Sequence, residues 1–589
     1  MKSLAFPMNA AIRLEASDLE SEVLSLLRDW CDGLLRLQLD VPGRSTLDGA
    51  ILCPACQVVH GRCHDAVYPL LALARRTGET RYLRAAERLF DWGASLLCDD
   101  GGLYNDAQSN WRGITVFNAI ALHDTLTRHG DLLGDETREA MRRRLAAEAE
   151  WLHRNLVPGM ACNVNYFAAN ACAMALLGEF FGRDDYRALA RSLAAHVRRH
   201  INPGFLLFGE GSPTDARTPK GCVAVDVGGY NVEESLPLLL RYAEVASDAE
   251  MFDLVRRSFR THLDWMLPDG AWDNSPGTRN VKWTYWGSRT SDGCQEALFR
   301  LGREDPVFAE AAWRNLQLYR RCTADGLLHG GPDYRRHGEP PCVHHTFCHA
   351  KALAGALDAG LAGFERTPLP SDLPPALVHI PEMDTWRLAA EDWRADVTAY
   401  DFDYMRGGHA SGGALSLLWH RRCGPVVAVG AVDYSLKEAH NQQQSRNVAQ
   451  HRSLCPRIEV IRDGCRWGQH YDYGATLRAE VASGGGVRAH ADVWLCDADH
   501  VRLPDGGPCT LDYELDADGL RITGSVPVAL AAEAQYVLPI IADAAKVMVE
   551  IGATEGDPER IFNLCPGFEA RDFRIRPAPD GHFAIRIVL

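Results

Sequence analysis

Four clusters in the first two thirds of the sequence hold residues able to grip a carboxylate or move a proton. The first is Cys53-Pro54-Ala55-Cys56, followed by His60-Gly61-Arg62-Cys63-His64. Two cysteines three apart, then a histidine and another cysteine, are zinc-ligand types. A second clean pair is missing, so the economical reading is a rim loop with buried thiols, in which His60 and Arg62 meet a substrate. An arginine presents a planar fork suited to a carboxylate. The second cluster is Asn163-Val164-Asn165-Tyr166, with Asn170 later on the same helix. Asparagine at a helix entrance is often a cap, but these amides together also suit a polar pocket.

The third cluster joins Gly209-Glu210-Gly211-Ser212-Pro213-Thr214 to Asp226-Val227-Gly228-Gly229-Tyr230-Asn231-Val232-Glu233-Glu234. Gly228 and Gly229 let backbone approach a cleft and set Tyr230 and Glu234 on the following helix. Tyr230 as a packing aromatic, with Glu233 answering the helix dipole, is the competing reading. The fourth runs Trp272-Asp273-Asn274, then Arg279, Lys282-Trp283-Thr284-Tyr285-Trp286 and Arg289. Its aromatic density exceeds what a turn requires, so Trp283, Tyr285 and Trp286 are expected to form a sugar platform beside Arg279, Lys282 and Arg289. His344-His345, near Cys342, Cys348 and His349, close the set. Pocket imidazoles are preferred there to a metal site.

These clusters fall between helices. Apolar residues at three-to-four spacing mark twelve helical stretches, near 19–38, 64–77, 81–97, 113–129, 135–154, 165–180, 184–200, 230–246, 250–267, 288–301, 305–321 and 346–362. A weak repeat of Gly or Ser, an acidic turn and an aromatic recurs at Gly78–Tyr82, Gly182–Tyr186, Ser247–Phe252 and Gly302–Phe308. Repeated helical hairpins predict a toroid or a solenoid. The long, chemically rich loops on one side favour an (α/α)6 toroid over residues 1–366, carrying the catalytic site. The proline-rich stretch 367–380 reads as a linker. Beyond it, alternating segments at 413–419, 425–429, 487–494, 509–515, 520–526 and 582–588 predict an antiparallel β-sandwich over 381–589.

Composition narrows the partners. A net charge of −16 over 589 residues argues against nucleic acid or an anionic membrane as the main partner. Local arginines can still serve an anionic oligosaccharide. No apolar run reaches the roughly 20 residues that span a bilayer. The N-terminal residues lack a signal-peptide pattern, and 18 cysteines show no framework spacing. A cytoplasmic protein with reduced thiols is therefore expected, or a periplasmic one if a leader has been removed. The sequence leaves open whether the chain is a monomer or a homo-oligomer.

The chain resembles the heparinase II/III-like polysaccharide lyases, which join an (α/α) toroid to a C-terminal β-sandwich. Asn165-Tyr166 and Asp226-Val227-Gly228-Gly229-Tyr230 are similar to the family's Asn-His element and its later loop with a catalytic Tyr. Gly408-His409-Ala410-Ser411-Gly412, then Gly424-Pro425 and Val432-Asp433-Tyr434, resemble its His-Ala-Asp strand and the continuation. Two positions depart from the pattern: Tyr166 stands where a His is usual, and Ser411 where an Asp is. The resemblance implies β-elimination at a uronic acid in an oligosaccharide, with no cofactor required for catalysis. It also implies a structural zinc in the sandwich, at His409, Asp433 and His440.

Elimination must remove a C5 proton that is far too weakly acidic beside an ionised carboxylate. On the resemblance, Asn165 neutralises the carboxylate and stabilises the enolate. Tyr230 serves as acid or base, and His344 or His345 makes the complementary transfer. Arg62, Arg279 and Arg289 would position the carboxylate, and His60, Tyr166, Asn170, Glu234, Lys282, Trp283, Tyr285, Trp286 and His409 complete the substrate-binding set. A tyrosine base needs cations beside it, since the free phenol titrates near ~10. Two alternatives stay open: a glycoside hydrolase using a pair from Asp226, Glu233 and Asp273, and a non-catalytic carbohydrate-binding protein. The long 201–229 connection is expected to wall the cleft and favour exo-acting cleavage of short chains.

Overall fold

The computed structural model describes residues 13–105, 110–209, 216–435, 438, 441–482 and 484–589. Among them the helical half holds α1 (Ala16–Leu37), α2 (Val67–Thr77), α3 (Thr80–Gly93), α4 (Thr115–His129), α5 (Asp135–Asn155) and α6 (Val164–Phe181). It continues with α7 (Asp184–Arg198), α8 (Leu236–Val245), α9 (Ala249–His262), α10 (Gln295–Leu301), α11 (Pro306–Cys322) and α12 (Val343–Ala359). The even-numbered helices each pack on the next, and α12 returns to α2, closing an inner ring. α3, α5, α7, α9 and α11 pair with the inner helices before them, and α1 packs on α12. This is the expected toroid of six hairpins.

Side-chain chemistry sorts the helices into the two rings. Every residue of α12 from Val343 to Leu357 is buried, as are nearly all of α6 from Val164 to Gly178. A helix that is buried all round belongs inside. Outer α7 instead buries only Tyr186, Ala190, Leu193, Ala194 and Val197, a single stripe at three-to-four spacing. The sequence repeat has a structural meaning at its first two occurrences. Gly78 and Gly182 end the inner helices α2 and α6 in left-handed conformation, with φ of 71° and 66°. A residue without Cβ takes that conformation at no steric cost. The repeat's aromatic then ties adjacent outer helices together: the Tyr82 hydroxyl donates to Asp32 of α1 at 2.7 Å, and that of Tyr186 to Glu150 of α5 at 2.7 Å.

The three sheets of the C-terminal half pair their strands antiparallel. One sheet runs Gly424–Ala428, Ala414–His420, Trp393–Thr398, Thr385–Ala390 and Leu377–Ile380. A second runs Thr476–Val481, Val487–Val493, Cys509–Asp516, Gly519–Ser525, His582–Val588 and Lys546–Ile551. A third is built on Arg457–Arg462, Gln535–Ile540 and Phe568–Arg576. Leu388, Val397 and Leu415 of the first sheet share one core with Ala489, Leu511 and Ile522 of the second. Alternation places them there: Val487–Val493 buries every second residue. Leu377–Ile380, expected within the linker, is instead the edge strand of the first sheet, registered Leu377 to Leu388. The real connection is shorter and is pinned by Asp372, which pairs with Arg314 at 2.7 Å.

The two halves meet over the toroid's loops. Arg394 of the first sheet reaches Asp273 at 2.9 Å, Ser275 donates to Ser416 at 3.1 Å, and Asn280 donates to the Gly430 carbonyl at 3.1 Å. No helix among the described residues is long and apolar enough to cross a membrane.

Candidate active site

A cleft on the toroid is lined by Arg62, Asn105, Phe117, Tyr166, Tyr230, Glu234, Thr290, His344 and, from the sandwich half, Asn441. Two inner helices begin at it. Asn165 and His344 are each the second residue of their helix, α6 and α12. Helix N-termini carry partial positive charge and unpaired N–H groups, which suits an anionic ligand. Tyr230 and Glu234 stand on a π-helical segment, Val227–Ser235, that leads into α8. Such segments disturb the regular ladder and recur at functional sites. Here the wider turn brings Tyr230 and Glu234 to one cleft.

Tyr230 is buried beneath two cations. Lys282 Nζ lies 3.4 Å from its ring centroid and the Arg279 guanidinium 5.2 Å. A tyrosine base needs cations beside it, and both come from the 272–289 loop. Each is itself held: Lys282 donates to Thr290 Oγ1 at 2.9 Å, and Arg279 pairs with Glu438 at 2.8 Å.

Asn165 Nδ2 donates to Glu234 Oε1 at 2.6 Å, while Asn165 Oδ1 and Glu234 Oε2 are buried without a partner. Burial pushes the Glu234 carboxyl up to about 7 and Asp292 adds to this, although Arg62, Lys282 and Asn165 oppose it. Glu234 can therefore hold a proton near neutrality. In His344, burial first and then His60, Arg289 and Arg62 disfavour the imidazolium, so the ring is held neutral. Burial raises the Tyr166 phenol, whose hydroxyl accepts from Trp111 Nε1 at 2.7 Å.

Several expected site residues take other roles. Arg62 borders the cleft, yet its guanidinium is bound to Asp65 at 3.2 Å, to Asp292, and to the Thr290 carbonyl at 2.6 Å. A buried cation keeps acidic partners, and here they include Asp65 and Asp292. Arg289 is not among the cleft-lining residues and directs Nε at Cys342 Sγ, 3.3 Å, and Nη2 at Cys56 Sγ, 3.4 Å. His345 packs on Trp286 and Tyr334, with Nδ1 on the Leu328 carbonyl at 3.2 Å. That leaves His344 as the histidine at the cleft among the described residues. Asn170 lies a turn further inside α6, where Nδ2 donates to the Leu156 carbonyl at 2.7 Å.

The aromatic platform does not form. Trp283, Tyr285 and Trp286 are each at most 2% exposed. Their polar atoms are satisfied internally: Trp283 Nε1 by the Trp272 carbonyl at 2.9 Å, the Tyr285 hydroxyl by Asp269 at 3.0 Å, and Trp286 Nε1 by the His329 carbonyl at 2.7 Å. The loop is packed core under the sandwich, which explains its aromatic content without a ligand.

The zinc implied for the sandwich does not fit the described residues. His409 directs Nε2 at the Phe402 carbonyl, 2.7 Å, and Nδ1 at the Ala410 carbonyl, 3.1 Å. Asp433 is engaged by Tyr471 and by Arg466 at 3.2 Å. His409 is also buried and is not among the residues that line the cleft. His440, like residues 210–214 of the third cluster, lies outside the described residues. His60 sits beside His344, ring centroids 4.5 Å apart, but is turned among cysteine sulfurs.

The carboxylates of the hydrolase alternative are committed inside the protein. Asp226 accepts from Asn274 at 2.6 Å, Glu233 from Ser288 N at 2.8 Å and Tyr319 at 3.1 Å, and Asp273 from Arg394 at 2.9 Å. None of the three lines the cleft. Asn105, Thr290 and Asn441 do line it and escaped the sequence reading. The polar run Asn441-Gln442-Gln443-Gln444 was the available signal for the last.

The ulvan lyase N-terminal domain family matches residues 27–370, and the ulvan lyase C-terminal domain family matches 377–555. A broad-specificity ulvan lyase from Formosa agariphila is 35% identical over 593 residues, covering 95% of this chain and 91% of that protein. Among solved structures, a heparinase III shares 11% identity with a TM-score of 0.46, over 96% of this chain and 84% of that one. A heparan sulfate lyase from Pedobacter heparinus shares 10% identity with a TM-score of 0.46, over 97% of this chain and 88% of that one.

Proposed function

This chain belongs to the ulvan lyase family, a polysaccharide lyase lineage, and from that premise we propose that its cleft cleaves uronate-containing glycans of the ulvan class by β-elimination, using Tyr230, His344, Asn165 and Glu234. The observation that carries the reading is their convergence. Tyr230 and Glu234 from the π-helical segment, His344 from the start of α12, and the helix entrance bearing Asn165 meet at one cleft, with Lys282 and Arg279 over the Tyr230 ring.

The chemistry follows from these groups. The substrate carboxylate docks at the positive entrances of α6 and α12, where the Asn165–Glu234 pair meets it. A protonated Glu234, or the Asn165 amide, hydrogen-bonds the carboxylate as charge moves onto it from C5, which stabilises the enolate. Neutral His344 and Tyr230 supply the two proton transfers, one taking the C5 proton and one protonating the leaving oxygen. The product carries a double bond conjugated to its carboxylate. Catalysis is assigned to side chains alone. The eighteen free cysteines support a reducing compartment.

Ultraviolet absorbance on incubation with ulvan oligosaccharides tests the reading. New absorbance from the unsaturated product is expected. New reducing ends without it would mean hydrolysis and would overturn the proposal.

A further inference from the structure

Behind His344, four buried residues converge that the elimination chemistry does not use. Cys53, Cys56, His60 and Cys342 each place one ligand atom within 4.8 Å of all the others, the one such group with metal-binding geometry found among the described residues. Three come from the loop between α1 and α2, and Cys342 caps the start of α12. Cys342 Sγ lies 3.7 Å from Cys53 Sγ and 3.9 Å from Cys56 Sγ. A tetrahedral ion with metal–sulfur bonds of about 2.3 Å separates its sulfurs by about 3.8 Å. All four residues are at most 5% exposed, and the cysteines are free rather than disulfide-bonded.

Two further observations point to a ligand. Both ring nitrogens of His60 are buried without a hydrogen-bond partner. A buried imidazole left so is costly, and an ion among the three sulfurs would supply a partner for one of the two nitrogens. The surroundings also suit thiolates rather than thiols. The backbone N–H of Cys56 donates to Cys53 Sγ at 3.4 Å, and Arg289 directs Nε at Cys342 Sγ and Nη2 at Cys56 Sγ. Three thiolates, a divalent ion and Arg289 sum to zero charge, so the cluster can sit in a dry interior. Soft thiolates with one imidazole, in tetrahedral spacing around a single ion, select zinc.

We propose that Cys53, Cys56, His60 and Cys342 bind one structural zinc ion, which staples the rim loop 53–60 to the start of α12. The ligand set is closed, with four protein donors, so the ion has no position for substrate. A consequence, resting on the role given above to His344, concerns its tautomer. His344 Nδ1 is 3.5 Å from Cys342 Sγ. With Cys342 held as a thiolate, Nδ1–H donates to the sulfur and Nε2 is left as the nitrogen that exchanges protons.

Metal analysis of the full-length protein, dialysed against chelator-treated buffer, tests the site without reference to activity. One zinc per chain is expected, and Cys342→Ser should release it. Replacement by cobalt should give the visible bands of a tetrahedral site with thiolate charge transfer in the near ultraviolet. His60→Cys should retain the metal and strengthen that charge transfer, which keeps the test decisive where Cys342→Ser fails to fold. A wild-type chain that neither carries zinc nor takes up cobalt, or one in which two of these cysteines form a disulfide, would overturn the proposal. Metal content and lyase activity are read separately, so failure of either leaves the other standing.

Discussion

Asn165 and Glu234 share one hydrogen bond of 2.6 Å and leave one buried oxygen each without a partner. An amide and a carboxyl in that state can exchange roles. If Glu234 is protonated, it can donate to Asn165 Oδ1 once the amide turns over, and Asn165 Nδ2 is then free to face the cleft. Which amide end faces which neighbour is a matter of the proton on Glu234.

That pairing gives a pH dependence with a defined sign. The folded-state pKa of Glu234 is raised from 4.5 to about 7, chiefly by burial. A raised folded pKa means the native state holds the proton more tightly than the unfolded chain. The contribution is full below about 4.5 and is lost as pH rises through about 7. Glu234→Gln, which is neutral at every pH, should flatten the fall in stability across this window, a difference of about 3 kcal/mol at most. Urea midpoints measured at intervals across it would check this. An unchanged slope would show that Glu234 ionises normally.

Tyr230→Phe removes one hydroxyl and keeps the ring on which Lys282 and Arg279 rest. Turnover should fall by about 10²–10⁴-fold, the scale of a lost general acid or base, with the melting temperature nearly unchanged. Initial rates from product absorbance would decide it, and near-wild-type activity would remove Tyr230 from the mechanism.

Asn165→Ala should lower kcat by about 10²–10³-fold while KM moves little, because enolate stabilisation acts in the transition state. An effect confined to KM would make Asn165 a ground-state contact only.

The helices, the sheets and the hairpin repeat were legible in the sequence because each rests on local rules. Gly78 and Gly182 punctuate hairpins through a left-handed turn that the residue type announces, and α7 shows its buried stripe in its spacing. The site was legible only in part. Tyr230, Asn165 and His344 were found through motif likeness and neighbouring polarity. The direction of a long side chain is set by tertiary packing, so Trp283 and Trp286 read as a platform although they point into the core. Cys342 lies 289 and 286 residues from Cys53 and Cys56 in sequence yet meets them in the fold, a separation no local spacing rule covers. Leu377–Ile380 became a strand because a neighbour pairs with it, despite the prolines before it.

The buried aromatic loop offers a direct contrast between packing and binding. Trp286 fills the space between Tyr319 and His349, with ring centroids at 5.4 and 4.6 Å. Trp286→Ala should cost about 3–5 kcal/mol of stability. Denaturation midpoints and KM measured on the same variant separate the two roles. A raised KM with intact stability would restore the sugar platform.

The last expectation concerns where along a chain the enzyme cuts. The connection after α7 is bolted to the sandwich: Val223 N donates to the Glu382 carbonyl at 3.0 Å, and Lys220 Nζ donates to Asp384 at 3.0 Å and to the Ala399 carbonyl at 2.7 Å. The Tyr400 hydroxyl donates to the Val223 carbonyl at 2.5 Å. These contacts fix residues 216–226, which lead into the segment that carries Tyr230, against the sandwich. A connection held rigidly beside the Tyr230 segment favours a substrate entering by its end. Early release of mono- or disaccharides from a defined ulvan oligosaccharide is therefore expected. Size analysis of the first products checks this, and rapid mid-chain scission of the intact polymer would show that the cleft is open at both ends.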